Sequence, residues 1–144
     1  MEGSGFIDIQ TLPTTGMYTI VVDPVSHAVG NVTLTLYAVP ADTTGAVTIG
    51  GAAVTVAMST PGQNGTRTFS GSAGQQVAVR VTSNTFGWLT VRLKTPDGTV
   101  LTGFRGFGNF NLPTQTLPTI GTYAIEVDPG GVATGSINLT VTNP

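Results

Sequence analysis

The chain has 144 residues, about the size of one ordinary domain and long enough to bury a hydrophobic core without disulfides. Only 8% of the residues are charged and the net charge is −2, which argues against nucleic acid or an anionic membrane surface as a partner. Cysteine is absent, and no apolar run approaches the ~18 residues of a membrane-spanning helix. We therefore expect a folded protein without disulfides or membrane insertion.

The first predicted strands lie in residues 6–38, after a flexible N-terminus at residues 1–5. Apolar and polar residues alternate in this segment, as they do in half-buried strands. About three short strands with one apolar face are marginally stable alone in water, so the segment must pack against a sheet. We predict that its inward-facing residues form an assembly interface: Tyr18, Ile20, Val22, Val32, Leu34 and Leu36.

The same alternation continues along the rest of the chain, interrupted by turn signals, and no helix of useful length is predicted. Ile49–Ala52 is predicted to be a hairpin turn, Pro61–Gly65 a loop and Pro96–Gly98 a tight turn. Strands spaced in this way are typical of a β-sandwich or barrel. The predicted inward columns of three of these strands are Val54, Val56 and Met58, then Val77, Val79 and Val81, then Leu89, Val91 and Leu93.

A stretch near the N-terminus returns near the C-terminus. Residues 11–36 align with residues 116–141 without a gap, with 14 identities in 26 positions. The inward positions repeat in kind, whereas the outward positions differ. An offset of 105 residues corresponds to one β-sandwich domain rather than to one turn of a solenoid. We predict a complete module at residues 40–144, preceded at residues 6–39 by the closing strands of another such module.

Three motifs in the complete module resemble those of the bacterial pre-peptidase C-terminal domain, which is repeated in large secreted proteins. They are the F-x-G-x-A-G stretch at Phe69–Gly74, the P-D-G-T turn at Pro96–Thr99 and the P-x-x-G-x-Y stretch at Pro118–Tyr123. The likeness spans residues 45–142. It implies a jelly-roll-like antiparallel β-sandwich, an extracellular or cell-surface location and a non-catalytic accessory role. Some family members bind calcium through clustered carboxylates. The candidate carboxylates of this chain are scattered along the sequence, at Asp8, Asp23, Asp42 and Asp97. No cofactor or metal is therefore expected.

No group of residues in the sequence indicates a catalytic centre. A nucleophilic site needs a base within hydrogen-bond reach, and the only histidine is His27. This residue lies in the predicted turn Pro24–Gly30, where the second copy has Val132. We expect an exposed turn histidine rather than a catalytic base or a metal ligand.

Two other features resemble enzyme motifs only superficially. A carboxylate pair for glycoside hydrolysis would have to be drawn from Asp23, Glu126 and Asp128, but the Asp-Pro pairs are typical of a strand end where a turn begins. The stretch GFRGFG at residues 103–108 lacks the helix and the lysine of a phosphate-binding loop, and we predict an ordinary loop. The chain is predicted not to be an enzyme.

Aromatic residues suggest a ligand contact. Trp88 is predicted to face outward near Arg92 and near Arg80 of a neighbouring strand, where its ring would stack on a sugar or on another protein. The alternative is that Trp88 covers the edge of the sandwich or packs beneath residues 6–38. Three phenylalanines that alternate with glycine form a second group: Phe104, Phe107 and Phe110. They either line a concave contact site or anchor a loop in the core.

Two functions follow as predictions. The first is an extracellular structural or adhesive module that joins other copies head to tail by β-strand addition, giving a filament because such a contact does not close. The alternative is a carbohydrate-binding or matrix-binding accessory module of a secreted enzyme. Two simpler arrangements also stay open: residues 6–38 close onto their own sandwich, or the chain is a piece cut from a longer tandem protein.

Overall fold

The computed structural model describes residues 3–144, and their regular structure is entirely β. The flexible N-terminus predicted at residues 1–5 falls partly outside the described residues, since residues 1 and 2 are not among them. Within residues 3–144 there is no helix that is long and apolar enough to cross a membrane. The described residues form ten strands: β1 (Thr43–Ala46), β2 (Val54–Met58), β3 (Gly65–Gly71), β4 (Gln76–Thr82), β5 (Trp88–Lys94), β6 (Val100–Phe107), β7 (Phe110–Asn111), β8 (Gln115–Thr116), β9 (Gly121–Pro129) and β10 (Gly135–Thr142).

The strands form two sheets that enclose one core. The order in the first sheet is β1-β3-β9-β5-β6, and the order in the second is β2-β10-β4-β7, with β8 also paired to β4. Neighbouring strands are antiparallel except β1, which runs parallel to β3. The predicted antiparallel β-sandwich is confirmed. The last two long strands are interior in their sheets, since β9 lies between β3 and β5 while β10 lies between β2 and β4.

The core lies between the sheets because alternate residues of each strand point inward. Tyr123 is fully buried there and stacks on Phe69, with the two ring centroids 5.6 Å apart. Of the predicted inward columns, Val54 packs against the rim of the core and the others are buried. The buried apolar side chains are Val47, Val56, Met58, Phe69, Val77, Val79, Val81, Phe86, Leu89, Val91, Leu93, Leu112, Leu117, Tyr123, Ile125, Val127, Ile137, Leu139 and Val141.

A buried arginine ties the two sheets together at one edge. Arg67 of β3 is only 8% exposed. Its guanidinium donates to the carbonyl oxygens of Thr66 at 2.9 Å and Thr43 at 3.4 Å in the first sheet, and of Thr55 at 3.1 Å in the second. Burial lowers the pKa of Arg67. Carbonyl oxygens thus replace the water that this side chain loses on folding.

The connections between strands confirm two predicted turns and correct a third. The loop that begins at Pro61 links β2 to β3, and Pro96–Gly98 closes the β5–β6 hairpin. Gly98 has φ +87°, a conformation that favours glycine at this turn position. Ile49–Ala52 is not a hairpin turn, because β1 and β2 belong to different sheets. This turn carries the chain across the core instead.

The glycine-rich stretch at residues 103–108 lies mostly in β6, so the prediction of a loop was wrong. Gly103 pairs with Arg92 of β5, and Gly106 pairs with Leu89. A Cβ on Gly106 would lie 2.5 Å from the ring of Phe110. The glycine therefore lets an aromatic ring pack closely on an edge strand, rather than giving the backbone freedom to bend.

Residues 3–42 form no strand, so the three strands expected in the partial repeat are absent from the structure. Strands form by pairing, and no other part of residues 3–144 pairs with this stretch. Residues 3–38 are exposed throughout. The two ends of the stretch meet the sandwich at one loop, where Phe6 Cζ and Val39 Cγ2 each lie 3.5 Å from the position that a Cβ would take on Gly62.

Candidate assembly segment and outer aromatic surface

The residues predicted to form an assembly interface are all solvent-exposed in the structure. Their exposed fractions run from 46% for Tyr18 to 85% for Leu36. The residues 105 positions later are each 0% exposed: Tyr123, Ile125, Val127, Ile137, Leu139 and Val141. One copy of the repeated pattern is therefore the centre of the core, whereas the other copy faces water. We call residues 6–38 the N-terminal segment.

The N-terminal segment nevertheless shares local structure with β9. The hydroxyl of Tyr18 donates to the carbonyl oxygen of Thr14 at 2.6 Å, and that of Tyr123 donates to the carbonyl oxygen of Thr119 at 2.8 Å. Both hydroxyls also accept from the backbone N–H of the same threonine, at 3.2 Å and 3.3 Å. The corner that opens β9 is thus already formed in the segment, without any neighbouring strand.

The turn between the two halves of the segment repeats as well. The N–H of Ala28 donates to the carbonyl oxygen of Val25 at 3.1 Å, and the N–H of Ala133 donates to that of Gly130 at the same distance. Ser26 has φ +56°, and its counterpart in the β9–β10 turn has φ +55°. The corner and the turn of the segment therefore match those of β9 and β10 in local conformation as well as in sequence.

Two glycines of the segment match positions where the sandwich has no room for a side chain. A Cβ on Gly121 would lie 2.6 Å from the proline of the β5–β6 turn, and a Cβ on Gly135 would lie 2.5 Å from a threonine hydroxyl. On the equivalent Gly16 and Gly30, a Cβ would meet nothing within 4 Å. All four have φ between 147° and 158°. The surroundings of the segment do not require these glycines for space, whereas those of β9 and β10 do.

Trp88, Arg105 and Phe107 form a cluster on the outer face of the first sheet, which we call the outer aromatic cluster. Trp88 and Phe107 are opposite each other on β5 and β6, with ring centroids 5.7 Å apart. They are 54% and 65% exposed. The guanidinium carbon of Arg105 lies 5.5 Å from the centre of the Trp88 ring. Such a surface offers aromatic faces and a cation to a ligand.

The other residues predicted for ligand contact lie elsewhere. Arg80 is on β4 in the second sheet and not on a neighbour of β5, so its expected position beside Trp88 was wrong. Arg92 faces outward on β5 but is engaged in ion pairs. Phe104 packs on Phe110, with ring centroids 5.1 Å apart. The sequence reasoning missed Arg105, because it placed this residue in a loop; the alternation of large side chains with glycine was the available signal for a strand.

An ion-pair network crosses the outer face between β5 and β9. Arg92 donates to Glu126 at 2.8 Å and to Asp128 at 3.3 Å, and Lys94 also pairs with Glu126. Burial acts to raise the pKa of Glu126, but the hydrogen bonds from Lys94 and Arg92 outweigh it and lower the pKa. Burial raises the pKa of Asp128, and the nearby charge of Asp8 adds to that rise. These carboxylates are held by cations of the sheet.

In residues 3–144, no three side chains of histidine, cysteine, aspartate or glutamate come together in a group that would hold a metal ion. His27 lies in the exposed turn of the N-terminal segment, as predicted. The geometry of both surfaces is suited to binding: the segment presents unpaired backbone and apolar side chains, and the outer aromatic cluster presents exposed rings.

Comparison with known proteins identifies the fold. No protein-family model and no curated protein matches the chain. The pre-peptidase C-terminal domain of a collagenase from Bacillus anthracis matches with a TM-score of 0.59 and 12% identity, over 71% of this chain and 97% of that domain. PliG of Aeromonas hydrophila, a periplasmic inhibitor of g-type lysozyme, matches with a TM-score of 0.50 and 18% identity, over 70% of this chain and 99% of PliG. The chain therefore contains a sandwich like that of a pre-peptidase C-terminal domain, and the resemblance seen in the sequence motifs is confirmed.

Proposed function

We propose that the chain is a non-catalytic extracellular structural module that joins head to tail with further modules of the same kind through residues 6–38. The observation that carries this proposal is the contrast between the two copies of the repeat, fully buried in one and solvent-facing in the other. The likeness to a collagenase accessory domain and to a periplasmic inhibitor supports a location outside the cytoplasm.

Burial of the exposed apolar side chains would drive the joining. Complete burial of one such side chain contributes about 1.5–3 kcal/mol, and the six residues are on average about two-fifths covered. Their remaining exposure then represents about 5–10 kcal/mol, before the cost of ordering the segment. A contact between the end of one module and the body of the next does not close on itself, so it repeats along a string or filament.

Removal of the segment tests this function. The full chain and residues 39–144 are compared by light scattering and electron microscopy at the same high protein concentration, which favours exchange of strands between copies. The full chain is expected to form larger particles, and the shortened chain is expected to stay a single sandwich, since β1–β10 lie outside the deleted part. Ile20→Asp should abolish the particles, whereas Val29→Asp in the exposed turn should not. Equal particle sizes for all four proteins would contradict the proposal.

A second candidate function rests on the outer aromatic cluster. Its exposed rings and the arginine beside them are suited to stacking on a sugar, which favours carbohydrate or matrix binding. Affinity electrophoresis in gels that contain a polysaccharide measures such binding. Trp88→Ala should abolish the retardation, whereas Met17→Ala, which alters a residue outside the cluster that is 97% exposed, should leave it unchanged. Equal retardation of both variants would exclude this site.

A further inference from the structure

We infer that the N-terminal segment joins modules by taking the place of β9 and β10 in a partner sandwich, rather than by adding a strand to a sheet edge. The acceptor site consists of the gap between β3 and β5 in the first sheet and the gap between β2 and β4 in the second. The partner is a sandwich of this same type whose own closing strands do not fill that site. This inference rests on the proposed function and specifies how the modules join.

The first argument comes from the shape of the segment. In the second copy of the repeat the two halves lie in different sheets, because the turn after Pro129 carries the chain across the core. The segment has the same turn, with the same hydrogen bond and the same φ at Ser26. A stretch of this shape cannot lay both halves along one sheet edge. Edge addition would therefore leave one apolar half in water, whereas the acceptor site buries both halves.

The second argument comes from the fit of individual residues. In the acceptor site Tyr18 would take the position of Tyr123, which stacks on Phe69. The glycines at residues 16 and 30 would stand where any Cβ comes within 2.6 Å of the sandwich. The backbone of the segment already favours glycine at both positions, with φ +158° and +157°, and this site adds a lack of space for any side chain. The side chains of the segment, together with the two glycines that have none, therefore match this site.

Two observations indicate that the acceptor site of the partner is open: the number of stretches that fit such a site, and a difference in charge between the segment and β9. Each chain carries two stretches of this shape, the segment and β9–β10, but only one acceptor site. Glu126 pairs with Arg92 and Lys94, whereas the equivalent residue of the segment is Val21. A sandwich like this one therefore holds its own strands more tightly than the segment, so wild-type copies exchange them only at high protein concentration. The segment fits a partner in which the site is open.

Three full-length variants test the substitution, with Ile125→Asp opening the acceptor site and Ile20→Asp disabling the segment. Ile20→Asp alone should unfold in urea like the wild-type chain, because β9 still fills the site. Ile125→Asp should retain a cooperative unfolding transition whose midpoint rises with protein concentration, since the segment of another copy fills its site. The double variant should lose the transition. The control variant, with Val29→Asp added to Ile125→Asp, should keep the unfolding transition of Ile125→Asp. Equal loss of the transition in Ile125→Asp and the double variant would overturn the inference.

Disulfide trapping tests the register. Thr68 of β3 pairs with Ala124, so Thr19 of an inserted segment would face Thr68 of the partner. Chains with Thr19→Cys are mixed with chains that carry Thr68→Cys and Ile125→Asp. The wild-type sequence contains no cysteine, so each variant chain has a single thiol. A disulfide-linked dimer is expected. Moving the second cysteine to Ser70, two residues further along β3 and opposite Thr122 instead of Ala124, should give none. Absence of the first dimer, or equal yields of both, would overturn the inference.

The two proposals fail in different ways. If the full chain forms larger particles that depend on residues 6–38, yet neither the rescue of Ile125→Asp nor the Thr19–Thr68 dimer appears, the modules join by another contact and only the acceptor site is wrong. If deletion of residues 1–38 leaves the particle size unchanged, the proposed function itself falls.

Discussion

The repeat allows the same substitution to be made in two environments of one chain. Leu139 and Leu34 occupy equivalent positions, but Leu139 is 0% exposed in the core while Leu34 is 56% exposed. Leu139→Ala removes buried methyl groups and leaves a cavity between the sheets, which costs about 2–5 kcal/mol of the free energy of unfolding. Leu34→Ala removes groups that are already in contact with water, so its cost should stay within about 0.5 kcal/mol.

The difference is large enough for a simple assay. For a sandwich of this size, each kcal/mol shifts the melting temperature by about 4–8 °C, so Leu139→Ala should lower it by about 10–30 °C. Leu34→Ala should lower it by no more than about 4 °C. Thermal unfolding followed by circular dichroism measures both, at a low micromolar concentration chosen to keep the copies apart. A large loss from Leu34→Ala would refute the reasoning, because it would mean that the segment packs into its own sandwich.

Three further substitutions test the interactions of the sandwich. Arg67→Ala should lower the free energy of unfolding in urea by about 2–4 kcal/mol, because three part-buried carbonyl oxygens lose a charged donor. Arg80→Ala on the exposed face should cost little; similar costs for both would contradict this role of Arg67. Since the folded-state pKa of Glu126 is lowered, its ion pairs stabilise the chain above the ordinary glutamate pKa and stop doing so as the pH falls through the folded value. Glu126→Gln should therefore be less stable by about 1 kcal/mol at pH 7 and equal to the wild type at pH 2, and a gap that persists at pH 2 would exclude the ion pairs as the cause. Asp8→Asn should lower the pKa of Asp128 in an NMR titration, because the charge of Asp8 raises it, and an unchanged pKa would mean that the start of the segment does not stay beside β9.

The core could be predicted from the sequence because strict alternation places the same residues inward whatever the sheet order. Val77, Val79 and Val81 are buried on β4 as their spacing predicts. The function of the turn at Ile49–Ala52 could not be predicted in this way. A two-glycine turn between strands looks the same whether it joins neighbours in one sheet or carries the chain to the other sheet, and only the long-range pairing decides.

The candidate sites were predicted in part. The apolar pattern of the N-terminal segment identified residues that need a partner. Alternation alone, however, cannot distinguish a strand paired in a sheet from an extended chain that has no paired neighbour. Arg67 and Arg105 escaped notice because a sequence does not reveal which carbonyl groups or aromatic rings surround an arginine. Trp88 was predicted either to face outward or to be covered at the edge of the sandwich; it is 54% exposed, and its neighbours come from β6, the strand whose glycines suggested a loop.

Amide hydrogen exchange in the N-terminal segment tests the central claim most directly. The wild-type full chain is measured alone and after mixing with the chain that carries both Ile20→Asp and Ile125→Asp, whose acceptor site is open and whose own segment is disabled. Alone at low micromolar concentration, the amides of residues 18–36 should exchange fast, while those of residues 123–141 are protected. In the mixture, residues 18–36 should become protected to a similar degree. Fast exchange of residues 18–36 in both samples would contradict the account.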